Sequence, residues 1–347
     1  MLRFYYVLFI TISTMLTAPP FLAAQNTAAD KIEEGIALHD DERYDDAIAA
    51  YRSALEIDPK SAMAHYELAL TYLTLRDYKA TVAAAKQATR LDPQGKIGLM
   101  SYVLWGTSLS EQEKFKQAIK TYQKGIDGGL ESYLLPYNQG IVYSRQGNST
   151  AAKAAFARSL DRHPTHPGSH HALATLAQEE GARFPALLGY YFYLLIQESN
   201  DKRAEQSIND IQRLLLSGIQ KKEDGNFDLM IDAEALTDDD DPFQHLSVSL
   251  PLTLMADRLV ADSLELSPLQ RFSNQTQSFF DHLSMVNASF ELDNHVSRYL
   301  TFFSALAETD HIPAFTAYLL TGLNQEADEW IQKHPVKMEA FKNWLIE

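Results

Sequence analysis

The chain has 347 residues, 46 acidic against 30 basic, with 46% hydrophobic content and a formal charge of −16 at neutral pH. It is too long and too apolar for a disordered tail and long enough for more than one core; its acidity excludes a nucleic-acid-binding surface, which needs a basic face. The absence of cysteine excludes disulfides, thiolate zinc sites, cysteine nucleophiles and a lipid-modified cysteine.

Residues 1–24 have the form of an export signal. Arg3 supplies a positive start, Phe4 to Leu16 is an apolar run of signal length, and the stretch ending at Ala24 brings helix breakers and small residues. Cleavage after Ala24 leaves Gln25 first. Pro19 and Pro20 interrupt the run short of the ~20 apolar residues a spanning helix needs, which argues against a retained anchor. No other segment approaches that length, so no stable membrane span is expected after cleavage. An acidic, cysteine-free exported protein points to a bacterial periplasm or the exterior, because eukaryotic secreted domains of this size often carry disulfides.

From residue 28 to about 200 the chain repeats itself. Tyr44, Ala47, Tyr51, Ala54 and Asp58-Pro59 recur 34 residues on as Tyr78, Thr81, Ala85, Ala88 and Asp92-Pro93. A third copy carries Gly106, Leu109, Phe115, Ala118, Tyr122 and Gly125, displaced by extra residues near Gly95 to Gly98. A fourth has Gly140, Tyr143, Ala152, Phe156, Ser159 and Pro164, and a weaker fifth has Leu173, Ala174, Gly181, Ala186 and Tyr190. Such a period belongs to paired antiparallel helices. Small residues at Gly35, Ala47 and Ala54 let the two helices approach, Tyr51 fills the gap, and Pro59 follows a helix it cannot continue. No pair buries its apolar face alone, so neighbours must stack.

The pattern resembles the tetratricopeptide repeat family. That resemblance covers residues 28 to about 200 and implies an all-α fold there, a right-handed α-solenoid of about five helix pairs over residues 25–200; the residues beyond it, 201–347, read as a helical C-terminal domain tied to no family. The resemblance also implies protein or peptide binding on a concave wall lined by the first helix of each pair. Carried onto this sequence, the wall comprises Ile32 and Ile36; Met63, Tyr66, Leu70 and Leu73; Met100 and Val103; and Leu134, Tyr137 and Ile141. Aliphatic and tyrosyl groups suit a helix or an extended apolar peptide, and the same groups also suit packing against neighbouring helices. Relatives that clamp a C-terminal carboxylate use Lys, Arg and Asn at such sites. Here Arg145 stands nearly alone beside acids such as Asp40 and Glu111, which implies no such clamp and favours a basic partner.

Beyond Asn200 the period stops. Ala204 to Ile219 reads as an amphipathic helix through Ile208, Ile211, Leu214, Leu215 and Ile219. Lys221 to Asn226 reads as a turn, Phe227 to Ile231 as a short strand, and Thr237 to Pro242 as a break. Helices then resume, with starts at Pro268 after Ser267, near Pro313, and at Pro335 after His334. Trp330, Phe341 and Trp344 are the expected anchors of a final helical hairpin.

Local chemistry is sparse. His163, His166, His170 and His171 have a spacing open to zinc or copper, but prolines stiffen the loop and no carboxylate follows; four solvent-facing imidazoles are the plainer reading. Asp238 to Asp241 would attract calcium, yet it lacks the spacing of a calcium-binding loop, as does Asp224 to Asp228. No serine-hydrolase elbow, zinc-protease helix, phosphate loop or dinucleotide fingerprint occurs, so no catalytic residue and no cofactor is expected. The sequence thus points to an exported adaptor or assembly factor of the cell envelope rather than an enzyme. Two alternatives stand beside it: a ligand-binding, metal-binding or hydrolytic activity in the C-terminal half with the repeats as docking arm, and a structural spacer.

Overall fold

The computed structural model describes residues 27–197, 202–223, 226–230, 241–286 and 290–346. The export signal and the acidic stretches at Asp224 and Asp238 to Asp240 lie outside the described residues. The fold is all-α: the described residues form 17 α-helices and one small antiparallel hairpin. They divide into two compact units between Gln112 and Glu113.

The first unit contains α1 (Ala28–Asp40), α2 (Tyr44–Ile57), α3 (Ala62–Thr74), α4 (Tyr78–Leu91) and α5 (Lys96–Glu111). Their starts follow from short polar side chains. Thr27 and Asp30 form a reciprocal capping box, while Ser61 and Asp77 accept from the backbone amides of Ala64 and Ala80. Helices α1 and α2 close tightly because Gly35 has no side chain; a Cβ there would sit 2.4 Å from the Tyr51 ring. The extra residues before α5 form a cap. Asp92 accepts from the amides of Ile97 and Gly98 at 3.1 and 3.2 Å, satisfying donors that the helix itself leaves free.

The second unit opens with α6 (Phe115–Asp127), α7 (Leu134–Arg145), α8 (Ser149–Arg162), α9 (Pro167–Glu179) and α10 (Arg183–Ile196). Gly140 on α7 repeats the close approach, with a Cβ position 2.5 Å from the Phe156 ring. Helix α10 is apolar on nearly every side, so it needs cover all round. It receives it from the C-terminal helices. One core runs from Ala174 through α10 to Phe341, and the ring of Tyr191, wholly buried, stands 5.1 to 6.2 Å from those of Phe272, Phe279, Phe280, Phe303 and Phe315.

Those helices are α11 (Lys202–Leu215), α12 (Gln244–Ser263), α13 (Pro268–His282), α14 (Asn294–Ala307), α15 (Ile312–Leu319), α16 (Gln325–Lys333) and α17 (Pro335–Trp344). The expected helix to Ile219 is shorter. It stops at Leu215, and Gly218, in the left-handed region at φ 84°, turns the chain into β1 (Ile219–Lys221). This strand pairs antiparallel with β2 (Phe227–Leu229), Ile219 opposite Leu229. Helix starts at Pro268 and Pro335 are as read, and the Ser267–Gln270 capping box reinforces the first. Phe341 is fully buried in the last hairpin, whereas Trp330 and Trp344 are half-buried at its margin.

Candidate functional site

In the first unit, α1 packs beside α3 and α3 beside α5. Ile32 and Ile36 are one turn apart on α1, and Met63, Tyr66, Leu70 and Leu73 follow helical spacing on α3, so each set shares a face. Ile32, Ile36, Tyr66, Leu70 and Leu73 are half-buried, resting on a core that includes Tyr51, Leu68 and Ala85. Met100 and Val103 on α5 are half-buried too, while Met63 is 39% exposed. Ile32, Ile36, Tyr66, Leu70 and Leu73 thus each have an inner edge in the core and an outer edge at the surface.

The wall carries an acidic element that the repeat pattern did not single out. Glu67, next to Tyr66 on α3, is half-buried, and burial together with the nearby Asp40 charge holds its carboxyl above the usual range. Burial, then Glu67, likewise pushes the Tyr66 hydroxyl up. The backbone beneath is fixed: His39 Nδ1 donates to Thr71 Oγ1 at 2.8 Å, and that hydroxyl donates to the Glu67 carbonyl at 2.9 Å.

In the second unit, Leu134, Tyr137 and Ile141 lie on α7. Ile141 is at the surface with 36% exposure, but Tyr137 is packed, its ring 5.8 Å from Phe156 and 4.6 Å from His166. The four histidines are spread through this packing rather than presented to solvent. His163 and His166 both rest on Tyr133, at 4.8 and 4.6 Å, and His171 lies 4.9 Å from Tyr193. His170 is only 3% exposed, its Nε2 2.8 Å from the Pro164 carbonyl and its Nδ1 bonded to the Tyr299 hydroxyl on α14. Burial pushes both His166 and His170 down to about 4. Among the described residues no three histidine or carboxylate groups converge as a metal site. The imidazoles serve as packing and hydrogen-bonding groups.

A cavity of about 490 Å³ in the second unit is lined by residues including Lys153, Glu180, Arg183, Phe243, Asp293 and His295. Lys153 and Glu180 form an ion pair at 2.7 Å. The Arg183 guanidinium lies over the Phe184 ring and donates to the Leu215 carbonyl at 2.8 Å; burial lowers it to about 10.

Family profiles match the repeat stretch. Residues 35–75 match the family profile described as TPR repeat, and residues 62–94 and 103–167 match two profiles described as tetratricopeptide repeat. Residues 35–167 therefore carry tetratricopeptide repeats. The type IV pilus assembly protein PilF of Pseudomonas aeruginosa is 30% identical over 141 residues, which is 39% of this chain and 53% of that protein. The small glutamine-rich tetratricopeptide repeat-containing protein 2 of Mycosarcoma maydis is 28% identical over 111 residues, 32% of this chain and 30% of that protein. The chain thus spans about half or less of the length of these relatives. Among solved structures, the type IV pilus biogenesis factor PilW aligns with a TM-score of 0.45 and 20% identity, covering 54% of this chain and 90% of its own. The Pseudomonas aeruginosa PilF structure gives 0.45 and 22%, covering 55% and 89%.

Proposed function

We propose that this repeat-bearing chain is an exported adaptor or assembly factor of the cell envelope, which holds a segment of a partner protein against the wall made by α1, α3 and α5. The observation that carries the reading is the half-open state of that wall. Its aliphatic and tyrosyl side chains keep surface-facing edges, where an apolar helix or extended peptide gains burial. The half-buried Glu67 carboxylate, beside the exposed Asp40, adds a preference for a basic residue beside the partner's apolar anchors, since a cation there offsets both its burial and the Asp40 repulsion. The likeness to a protein described as a type IV pilus assembly protein supports an envelope role, as does the export signal read from the first 24 residues.

The test is affinity capture from envelope extract with the wild type beside a Met63→Glu/Tyr66→Ala variant. Both positions face the surface at least in part, so the variant should keep its helical content. The expected result is a partner held by the wild type and lost by the variant at equal fold. A partner retained by both would place the contact elsewhere and favour a spacer whose flanks make the assembly.

A second reading rests on the cavity lined by Lys153, Arg183 and Asp293. Charges of both signs around a half-open pocket, lined by the last repeat helices together with C-terminal residues, suit a small polar ligand. A thermal-shift screen against zinc, copper, calcium and small zwitterions tests it, because a ligand of the folded state raises Tm. No shift with any of them would remove this reading for those ligands.

A further inference from the structure

A cleft between α14 and the end of α17 shares no residue with the wall or with the cavity beside Arg183. Phe302 and Trp344 form its floor, their ring centres 5.4 Å apart and their planes tilted by 55°. The floor is anchored, because Phe302 also meets the rings of Phe192 and Phe303 edge-on at 5.9 and 5.1 Å, and Phe303 is wholly buried. The open space is about 580 Å³, within the range of small-molecule sites, and Ser297, Arg298, Thr301 and Ala305 line it from α14.

The charge of this cleft lies at one end. Arg298 and Ala305 stand two turns apart on one face of α14, about 10 Å along its axis. Between them the Thr301 hydroxyl is turned to the Ser297 carbonyl at 3.0 Å. Arg298 is the only charged residue that lines the cleft, and α14 itself carries no Asp or Glu. Elsewhere in the second unit Lys153, Arg213, Lys221, Lys222 and Arg271 all pair with carboxylates. Arg298 is exposed and, among the described residues, has no carboxylate partner, although the chain has a formal charge of −16.

We infer that this cleft binds a small amphiphilic carboxylate, its head on Arg298 and a linear apolar body laid across Phe302 and Trp344. A guanidinium takes a carboxylate through two parallel hydrogen bonds, and the body gains by leaving water for the aromatic floor. The single positive charge decides the head group. Arg298 alone neutralises a carboxylate, whereas a phosphate monoester, at about −1.5 to −2, would keep charge that no second lining cation offsets. The length of the cleft decides the body, since about 10 Å of helix face suits an acyl chain of medium length.

Calorimetric titration of the full chain with octanoate, 1-octanol and octylammonium, each below its aggregation concentration, tests this, because the three share one body and differ in the head. Octanoate should bind at one saturable site at least ~10-fold tighter than octanol, the margin a charge-assisted pair supplies, and octylammonium should bind weakest. Octanoate should also change the tryptophan emission, and Trp344→Phe should remove that change. Arg298→Gln should bring octanoate down to the level of octanol and leave octanol as it was. Ala305→Trp should weaken both by filling the cleft. Both positions are exposed, so circular dichroism should be unchanged. No saturable binding of octanoate, equal affinity for octanoate and octanol, tighter binding of octylammonium, or an octanoate preference that survives Arg298→Gln would each overturn the assignment. So would an emission change that survives Trp344→Phe, or octanoate binding untouched by Ala305→Trp.

Discussion

At the scale of single residues, the His170–Tyr299 pair shows how a buried imidazole is fixed by its partners. A carbonyl only accepts, so Nε2 carries the proton toward Pro164, and Nδ1 is left to accept from the Tyr299 hydroxyl. The neutral form is the one the site fits. His170 is pushed down to about 4 by burial, with the His295, His166 and Arg298 charges adding to it against the Pro164 carbonyl. The folded state therefore takes up this proton less readily than the unfolded chain. Stability from His170 is fully present above the ordinary 6.5 and is lost as pH falls through about 4. His166 acts in the same direction. Thermal melts should show Tm dropping across that window, with a smaller drop in His170→Asn; an unchanged drop would contradict the assignment. Tyr299→Phe removes the donor to Nδ1 inside the core and should cost ~1–3 kcal/mol in urea unfolding. The cluster of four histidines was legible in the sequence, but its role was not. The partner that defines His170 is 129 residues away, and local spacing carries no information about such a contact.

At the scale of elements, the repeat shows in its turns as well as in its helices. Glu42, Arg76 and Glu113 occupy the left-handed region at φ 61°, 59° and 57°, and Gly147 and Gly181 occupy it at 71° and 79° in the later copies. Apart from the three-residue insertion ahead of α5, these positions recur with the sequence period. Each ends the first helix of a pair in the way glycine does most cheaply. Arg76→Gly should therefore stabilise the first unit by about 0.5–1 kcal/mol, the relief of left-handed strain less the backbone freedom glycine must lose. A loss of stability would mean that the Arg76 side chain contributes more than its conformation costs. Gly140→Ala should act the other way. Its Cβ would press on the Phe156 ring, which has no room to yield within a filled core, at a cost of about 1–3 kcal/mol. Small-to-aromatic spacings such as Gly35–Tyr51 and Gly140–Phe156 were readable because both members lie within one repeat. The same logic failed at Ile219, where apolar spacing continued past a glycine that had already ended the helix. It was also silent on α10, whose excess of apolar residues makes sense only with the C-terminal helices around it.

At the scale of the whole molecule, the largest core of the second unit passes through the place where the repeat pattern fades. The pattern fades there because α10 is shaped by α13, α14 and α15 rather than by a further repeat. The all-α class and the repeat stretch were legible from period and composition. The acidic element at Glu67 and the cavity by Arg183 were not, since each depends on which half of a helix ends up covered. The central claim is that a partner lies on the wall of α1, α3 and α5. Its most direct test is a photo-crosslinking residue placed singly at Met63 or Tyr66, with Arg52 on α2 and Lys79 on α4 as exposed controls, followed by irradiation of intact cells. The wall positions should yield one shared crosslinked product and the controls none. Crosslinking from Arg52 or Lys79 with nothing from Met63 and Tyr66 would contradict the account.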